Sequence, residues 1–172
     1  GDRFGYRYAY ARAFETRNPG DTGQDYLVIM EDDTHLAFAL CDGVSQSFYG
    51  DLAARLLGEA LVEWMFNANA YESSGELEAN LTQFLRLLTE QGTRQVKEFR
   101  LPENLAPMIQ NALDRKRAIG SESTLIAGRV DLDAGEIILA WLGDSNLRIW
   151  GPTGEKTAVL GETFLKQERW SS

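Results

Sequence analysis

The sequence predicts an α+β domain, a four-layer α-β-β-α sandwich in which two stacked antiparallel sheets are flanked by helices. Three observations predict it. Short strand-like apolar runs come first, three helical segments follow, and strand-like runs then return. Several of those runs are apolar at successive positions, so both of their faces must be covered. The links between them are polar hairpin-type turns, which make neighbouring strands antiparallel and exclude crossover helices as the cover.

Taken in order, Tyr6 to Phe14 is rich in aromatics and Ala and suits an edge strand. Tyr26 to Met30 and Leu36 to Cys41 are apolar runs separated by Glu31-Asp-Asp-Thr-His35, a hairpin signature. From Asp51 to Phe66, Ala53, Leu57, Ala60, Leu61 and Trp64 recur at helical spacing, with Asp51, Arg55, Glu59 and Glu63 on the opposite stripe. Leu77, Leu81, Phe84 and Leu88 mark a second helical face, with Gly92 a weak point before Val96 and Phe99. Pro102 and Pro107 bracket a break, and a third helix is expected from Met108 to Ala118, stopping at Gly120. Strands are then expected at Thr124 to Val130, Ile137 to Leu142, Leu147 to Trp150 and Lys156 to Leu160, with turns at Asp131 to Glu136 and Gly151 to Gly154. Trp64, Trp141 and Trp150 fall on core-facing patterns and read as packing residues.

Composition narrows the function classes. Among 172 residues, 17 are Lys or Arg and 26 are Asp or Glu, giving a net charge of −9. That balance argues against a nucleic-acid surface, since phosphate backbones are held by clustered cations. Arg115, Lys116 and Arg117 form the one strong basic cluster and suit a helix C-terminus. A single cysteine, Cys41, excludes an internal disulfide or a CxxC site, and a single histidine, His35, argues against a Ser-His-Asp triad. No apolar run approaches the ~20 residues of a membrane span, and no signal-peptide pattern opens the chain. Residues 1–172 therefore read as one cytoplasmic domain with no membrane contact, whose chemistry must come from carboxylates, hydroxyls or a bound cation.

Three acids occupy strand ends rather than helix surfaces. Asp25 opens the first apolar run, Asp42-Gly43 closes the second, and Asp144 sits in Gly143-Asp-Ser145 after Leu142. Two unit charges about 4 Å apart at an effective dielectric of about 20 repel by ~4 kcal/mol, so converging carboxylates need a cation or a raised pKa. Oxygen donors without His or Cys suit Mg²⁺ or Mn²⁺. Gly43, lacking a Cβ, lets its carbonyl approach an ion. Asp131-Leu-Asp-Ala-Gly135 lacks the Gly and Glu positions of an EF-hand and reads as a hairpin turn.

In order, Asp25-Tyr-Leu-Val-Ile29, Leu36-Ala-Phe-Ala-Leu-Cys-Asp-Gly-Val44, Gly50-Asp-Leu-Ala-Ala54, Ser123-Thr-Leu-Ile-Ala127 and Leu139-Ala-Trp-Leu-Gly-Asp-Ser145 resemble the type-2C metal-dependent serine/threonine protein phosphatases, from about residue 5 to about residue 160. The resemblance implies a helix-flanked β-sandwich and hydrolysis of phosphoserine or phosphothreonine in proteins by a metal-bound hydroxide. It implies that Asp42 bridges two divalent cations (Mg²⁺ or Mn²⁺) and that the Gly43 carbonyl binds one of them. Asp25 would hold metal-bound water, and Asp144 would lie near a further cation. Arg17 and Arg12 are the candidates for binding substrate phosphate, although neither has the family spacing. Val44 stands where some members carry a histidine acid, and Gln24 where an acidic residue is common. The family draws two more Asp from a later segment, whereas no Asp follows Asp144 here. The chain thus reads as the N-terminal portion of a phosphatase domain, truncated before that segment, binding metal weakly and inactive alone. An exposed sheet edge is expected to favour self-association. The competing expectation is a phosphatase-like regulatory or binding module without catalysis.

Overall fold

An antiparallel hairpin organises the first half of the chain in the computed structural model, which describes residues 3–11, 23–68, 73–160 and 168–172. Its strands are β1 (Asp25–Glu31) and β2 (His35–Gly43), in a register that sets Asp25 opposite Asp42 and Glu31 opposite Leu36. The Asp32 carboxylate holds the turn by accepting the N–H groups of Thr34 and His35 at 2.8 and 2.7 Å. Helices α1 (Gly50–Asn67), α2 (Ser74–Glu98) and α3 (Pro107–Ile119) follow. The chain then returns to β3 (Glu122–Asp131) and β4 (Glu136–Leu142), a small ribbon of β5 (Trp150–Gly151) and β6 (Gly154–Glu155), and a final β7 (Trp170–Ser171).

The result is α+β, with three helices and two antiparallel sheets among the described residues. The larger sheet has the order β1-β2-β3-β4, with β7 also pairing β3; the smaller is β5-β6. Side-chain alternation divides the larger sheet into unlike faces. Ala37, Ala39 and Cys41 of β2, with Leu125 and Ala127 of β3, point to a fully packed core. Leu57, Leu61, Val62 and Met65 of α1 cover it, each such burial being worth ~1.5–3 kcal/mol. On the opposite face Leu27 and Leu40 are each 39% exposed. Helix α2 packs outside α1 through Leu81, Phe84, Leu85 and Leu88. It starts with a reciprocal cap, in which Ser73 Oγ accepts the Glu76 N–H and the Glu76 carboxylate accepts the Ser73 N–H. Among the described residues, no helix is long and apolar enough to cross a membrane.

Helix α2 runs through Gly92 without a break, and the reason lies in β7. A Cβ at Gly92 would come within 2.9 Å of the Trp170 ring and 2.6 Å of Ser172, so the glycine is the notch that admits the C-terminal strand. Trp170 is 5% exposed and donates its indole N–H to the Leu85 carbonyl at 3.2 Å. Three other expectations differ from the structure. Tyr6 to Ala11 forms no strand, and the remainder of that segment, through Phe14, lies outside the described residues. Among the described residues Leu147 to Ile149 finds no partner strand, and pairing begins only at Trp150, which is 61% exposed. Thr157–Leu160 is a 3-10 turn, because Thr157 Oγ1 is engaged locally, accepting Ile149 N–H and donating to Glu155.

His35 is a structural residue at the far end of β2 from Asp42. Its Nδ1 lies 3.1 Å from the Asp32 carboxylate and its Nε2 3.2 Å from Asp131, which also receives Arg129 at 3.0 Å. The hydrogen bonds to backbone N–H groups hold Asp32 down at about 2, and Asp131 is lowered by its bond from Ala134. A depressed carboxylate stabilises the fold above its unfolded value of 3.8, and the contribution is lost as pH falls through the folded value. Asp32→Asn is therefore expected to flatten the acid limb of the stability–pH curve and leave the shape of its neutral region little changed, as read by urea unfolding in a pH series. Trp170→Ala is expected to cost ~3–5 kcal/mol in the same assay.

Candidate functional site

The acids singled out in the sequence meet at one end of the larger sheet. The β1–β2 register places Asp25 directly across from Asp42, so both side chains lie on the same face. On the other side of β2, Asp42 stands opposite Thr124 of β3. The Thr124 hydroxyl lies 3.1 Å from that of Ser145, which ties the turn carrying Asp144 to this row.

Electrostatics shows how close the groups are. Asp42 is exposed as a residue, yet its carboxyl is crowded enough that burial is the first cause of a pKa raised to about 6. A hydrogen bond with the Asp25 carboxyl and the negative charges of Asp25 and Asp144 push in the same direction, and Arg169 pulls the other way. Burial and the neighbouring acids thus favour the protonated form of Asp42, whose carboxyl faces that of Asp25. At neutral pH this is an over-negative locus of hard oxygen donors, which fits a divalent cation of the Mg²⁺ or Mn²⁺ type.

The donor set amounts to only part of a coordination shell. Among the described residues, no three His, Cys, Asp or Glu side chains are gathered so as to hold an ion by themselves. Mg²⁺ is commonly bound by one or two carboxylates with waters in its other positions, so the Asp25–Asp42 pair still suits it.

Gly43 has a packing reason to be glycine. A Cβ there would lie 2.5 Å from the Gly50 backbone and 2.7 Å from the Gln24 carbonyl, where the start of α1 and the entry to β1 cross the end of β2. This approach fixes the loop that follows the site. Val44 N–H donates to Glu122 O at 2.9 Å, and Phe48 N–H to Gly120 O at 2.9 Å. Ser121 Oγ donates to Tyr49 O at 2.8 Å and accepts Ala53 N–H at 3.0 Å, satisfying a donor in the first turn of α1. Ser123 Oγ donates to the Asp42 carbonyl at 2.9 Å and so holds the backbone at the carboxylate.

Arg12 and Arg17, the expected phosphate ligands, lie outside the described residues. The sequence reading missed Thr124, Ser145 and Arg169 as neighbours of the acids. For Arg169 the available signal was its place before Trp170, an aromatic close to the chain end that needs a core to enter. Cys41 sits on the face opposite Asp42, fully buried, with burial pushing its thiol up to about 12. It is not a nucleophile of this site.

Solved structures share this fold. Serine/threonine phosphatase Stp1 from Staphylococcus aureus superposes with a TM-score of 0.52 at 18% identity, over 79% of this chain and 46% of that one. A bacterial serine phosphatase gives 0.51 at 17% identity over 79% of this chain and 48% of its own. A bacterial serine phosphatase bearing an arginine-to-alanine mutation gives 0.56 at 16% identity over 88% and 59%. The chain therefore shares a phosphatase fold and spans about half the length of the first two. No protein-family model matches it, and no curated relative does.

The raised carboxyl has a measurable consequence in the cation-free protein. A folded pKa of about 6 against an unfolded 3.8 makes ionised Asp42 a burden on the fold, absent at low pH and complete above the folded value. Asp42→Asn should stabilise the chain at neutral pH in the presence of a chelator, and the gain should fade as pH falls from the folded value of about 6 to the unfolded 3.8, below which it is gone. Chemical denaturation at matched pH values checks it.

Proposed function

We propose that this chain carries the carboxylate core of a divalent-cation-dependent hydrolase acting on phosphoserine or phosphothreonine in proteins. The observation that supports this most is the Asp25–Asp42 pair, set in register at a sheet end with the Asp42 carboxyl raised to about 6, on a fold shared with bacterial serine and serine/threonine phosphatases. Asp42 and Asp25 are the residues that would hold the cation, with the Gly43 carbonyl beside them and Asp144 contributing negative charge from the neighbouring turn. When bound, Mg²⁺ or Mn²⁺ would acidify a water and offset the charge that develops on a phosphoryl group. The residues of the chain have simpler tasks. Asp42 and Asp25 would hold the cation side by side, and the Ser123 hydroxyl keeps the Asp42 backbone in place. The Thr124–Ser145 hydroxyl pair fixes the turn of Asp144.

A second reading, a phosphatase-like binding module without turnover, is supported by the absence of a three-ligand cluster among the described residues. Activity separates the two. Saturable Mn²⁺ binding by the chain, followed through paramagnetic broadening of NMR signals, should weaken by at least ~10-fold in Asp42→Asn. In the full-length protein Asp42→Ala should abolish Mn²⁺-dependent release of phosphate from a phosphoserine peptide while the fold persists. Turnover that survives Asp42→Ala removes Asp42 from the cation site; Mn²⁺ binding with no turnover in the full-length wild type favours the binding module.

A further inference from the structure

We propose that Arg169, delivered by β7, is the group of this site that grips a phosphoryl oxyanion; the assignment rests on the carboxylate reading above and names the part of the site that meets substrate. The geometry comes from register. Ser171 lies opposite Glu122 and Trp170 opposite Ser123, so continuing the antiparallel pairing brings Arg169 beside Thr124. Thr124 is the residue opposite Asp42, which is itself opposite Asp25. Carboxyl, carboxyl, hydroxyl and guanidinium thus follow one another along a single row across the sheet end.

Alternation decides the face. Trp170 enters the core, over Gly92 and with its indole N–H on Leu85 O. Its neighbour Arg169 accordingly stands on the other face, the one that carries Asp42. Two independent features agree. The guanidinium charge acts on the Asp42 carboxyl. The Glu168 carbonyl passes close enough to Gly143 that a Cβ there would lie 3.1 Å from it, so the segment skirts the turn holding Asp144.

Arg169 is exposed, and among the described residues its guanidinium makes no ion pair or hydrogen bond. Among the described residues its planar fork of donors is uncommitted, and such a fork matches two oxygens of a phosphoryl group. Without a cation, the same positive charge offsets part of the repulsion between the acids. With the carboxylates occupied by a cation, Arg169 is left facing the anion.

The two roles predict effects of opposite sign, which is what makes the assignment testable. In Arg169→Ala and Arg169→Gln, inorganic phosphate binding measured by calorimetry at saturating Mg²⁺ should weaken by ~10-fold or more. Mn²⁺ binding measured without phosphate should tighten, because a neighbouring positive charge is gone. Arg169→Lys, which keeps the charge and loses the fork, should retain the wild-type Mn²⁺ affinity and recover only part of the phosphate affinity. Unchanged phosphate affinity in the Ala and Gln variants overturns the assignment. So does a parallel loss of phosphate and Mn²⁺ binding in all three variants, which would make Arg169 a residue that merely holds β7. A wild-type chain that takes up no Mn²⁺ sinks instead the underlying carboxylate reading, so the two failures are told apart.

Discussion

The alignment of β1 against β2 is the constraint on which the rest depends. It sets Asp25 opposite Asp42 and, at the other end, Glu31 opposite Leu36. A slip of one residue would turn every side chain of β1 to the other face, moving Tyr26 and Val28 out of the core and Asp25 into it. Burial of Tyr26 and Val28 against α1 therefore fixes the position of the Asp25 carboxylate. The turn contributes as well, since Asp32 closes the hairpin through two backbone N–H groups.

The face that carries Asp42 also carries Leu40 and Leu27, and across β3 it carries Ile126. Carboxyls at the end of an apolar strip are poorly solvated on one side, which accounts for burial outweighing the neighbouring charges in raising Asp42. The opposite end of the same strands holds the contrary arrangement. There Asp32 and Asp131 are surrounded by N–H groups, His35 and Arg129, and both carboxyls are held down. One strand, β2, thus joins a site of electrostatic tension to a site of electrostatic satisfaction.

Much of this was legible in the sequence, for local reasons. The hairpin, the three helices and β3–β4 follow from apolar periodicity and from Pro107 and Gly120 at the ends of α3. The convergence of Asp25, Asp42 and Asp144 was legible because each acid abuts an apolar strand, and antiparallel pairing brings strand ends together. What was not legible depended on distant contacts. Gly92 looked like a helix weakness because the ring that fills its notch, Trp170, is almost at the other end of the chain. Leu147 to Ile149 continues the alternation of a strand, but among the described residues it has no neighbour to pair with, and the ribbon begins only at Trp150. Arg169 carries no motif, and its place is set by the Trp170 anchor and a two-residue strand.

Cys41 has a consequence of a different kind. It is the sole thiol of the chain, completely enclosed between β2 and α1, and its proton is held far above neutrality. A disulfide reagent in the surrounding solution can reach that sulfur only when the sheet parts from the helix. The rate at which the native chain is labelled is thus a clock for the opening of its centre, built in without any engineered probe.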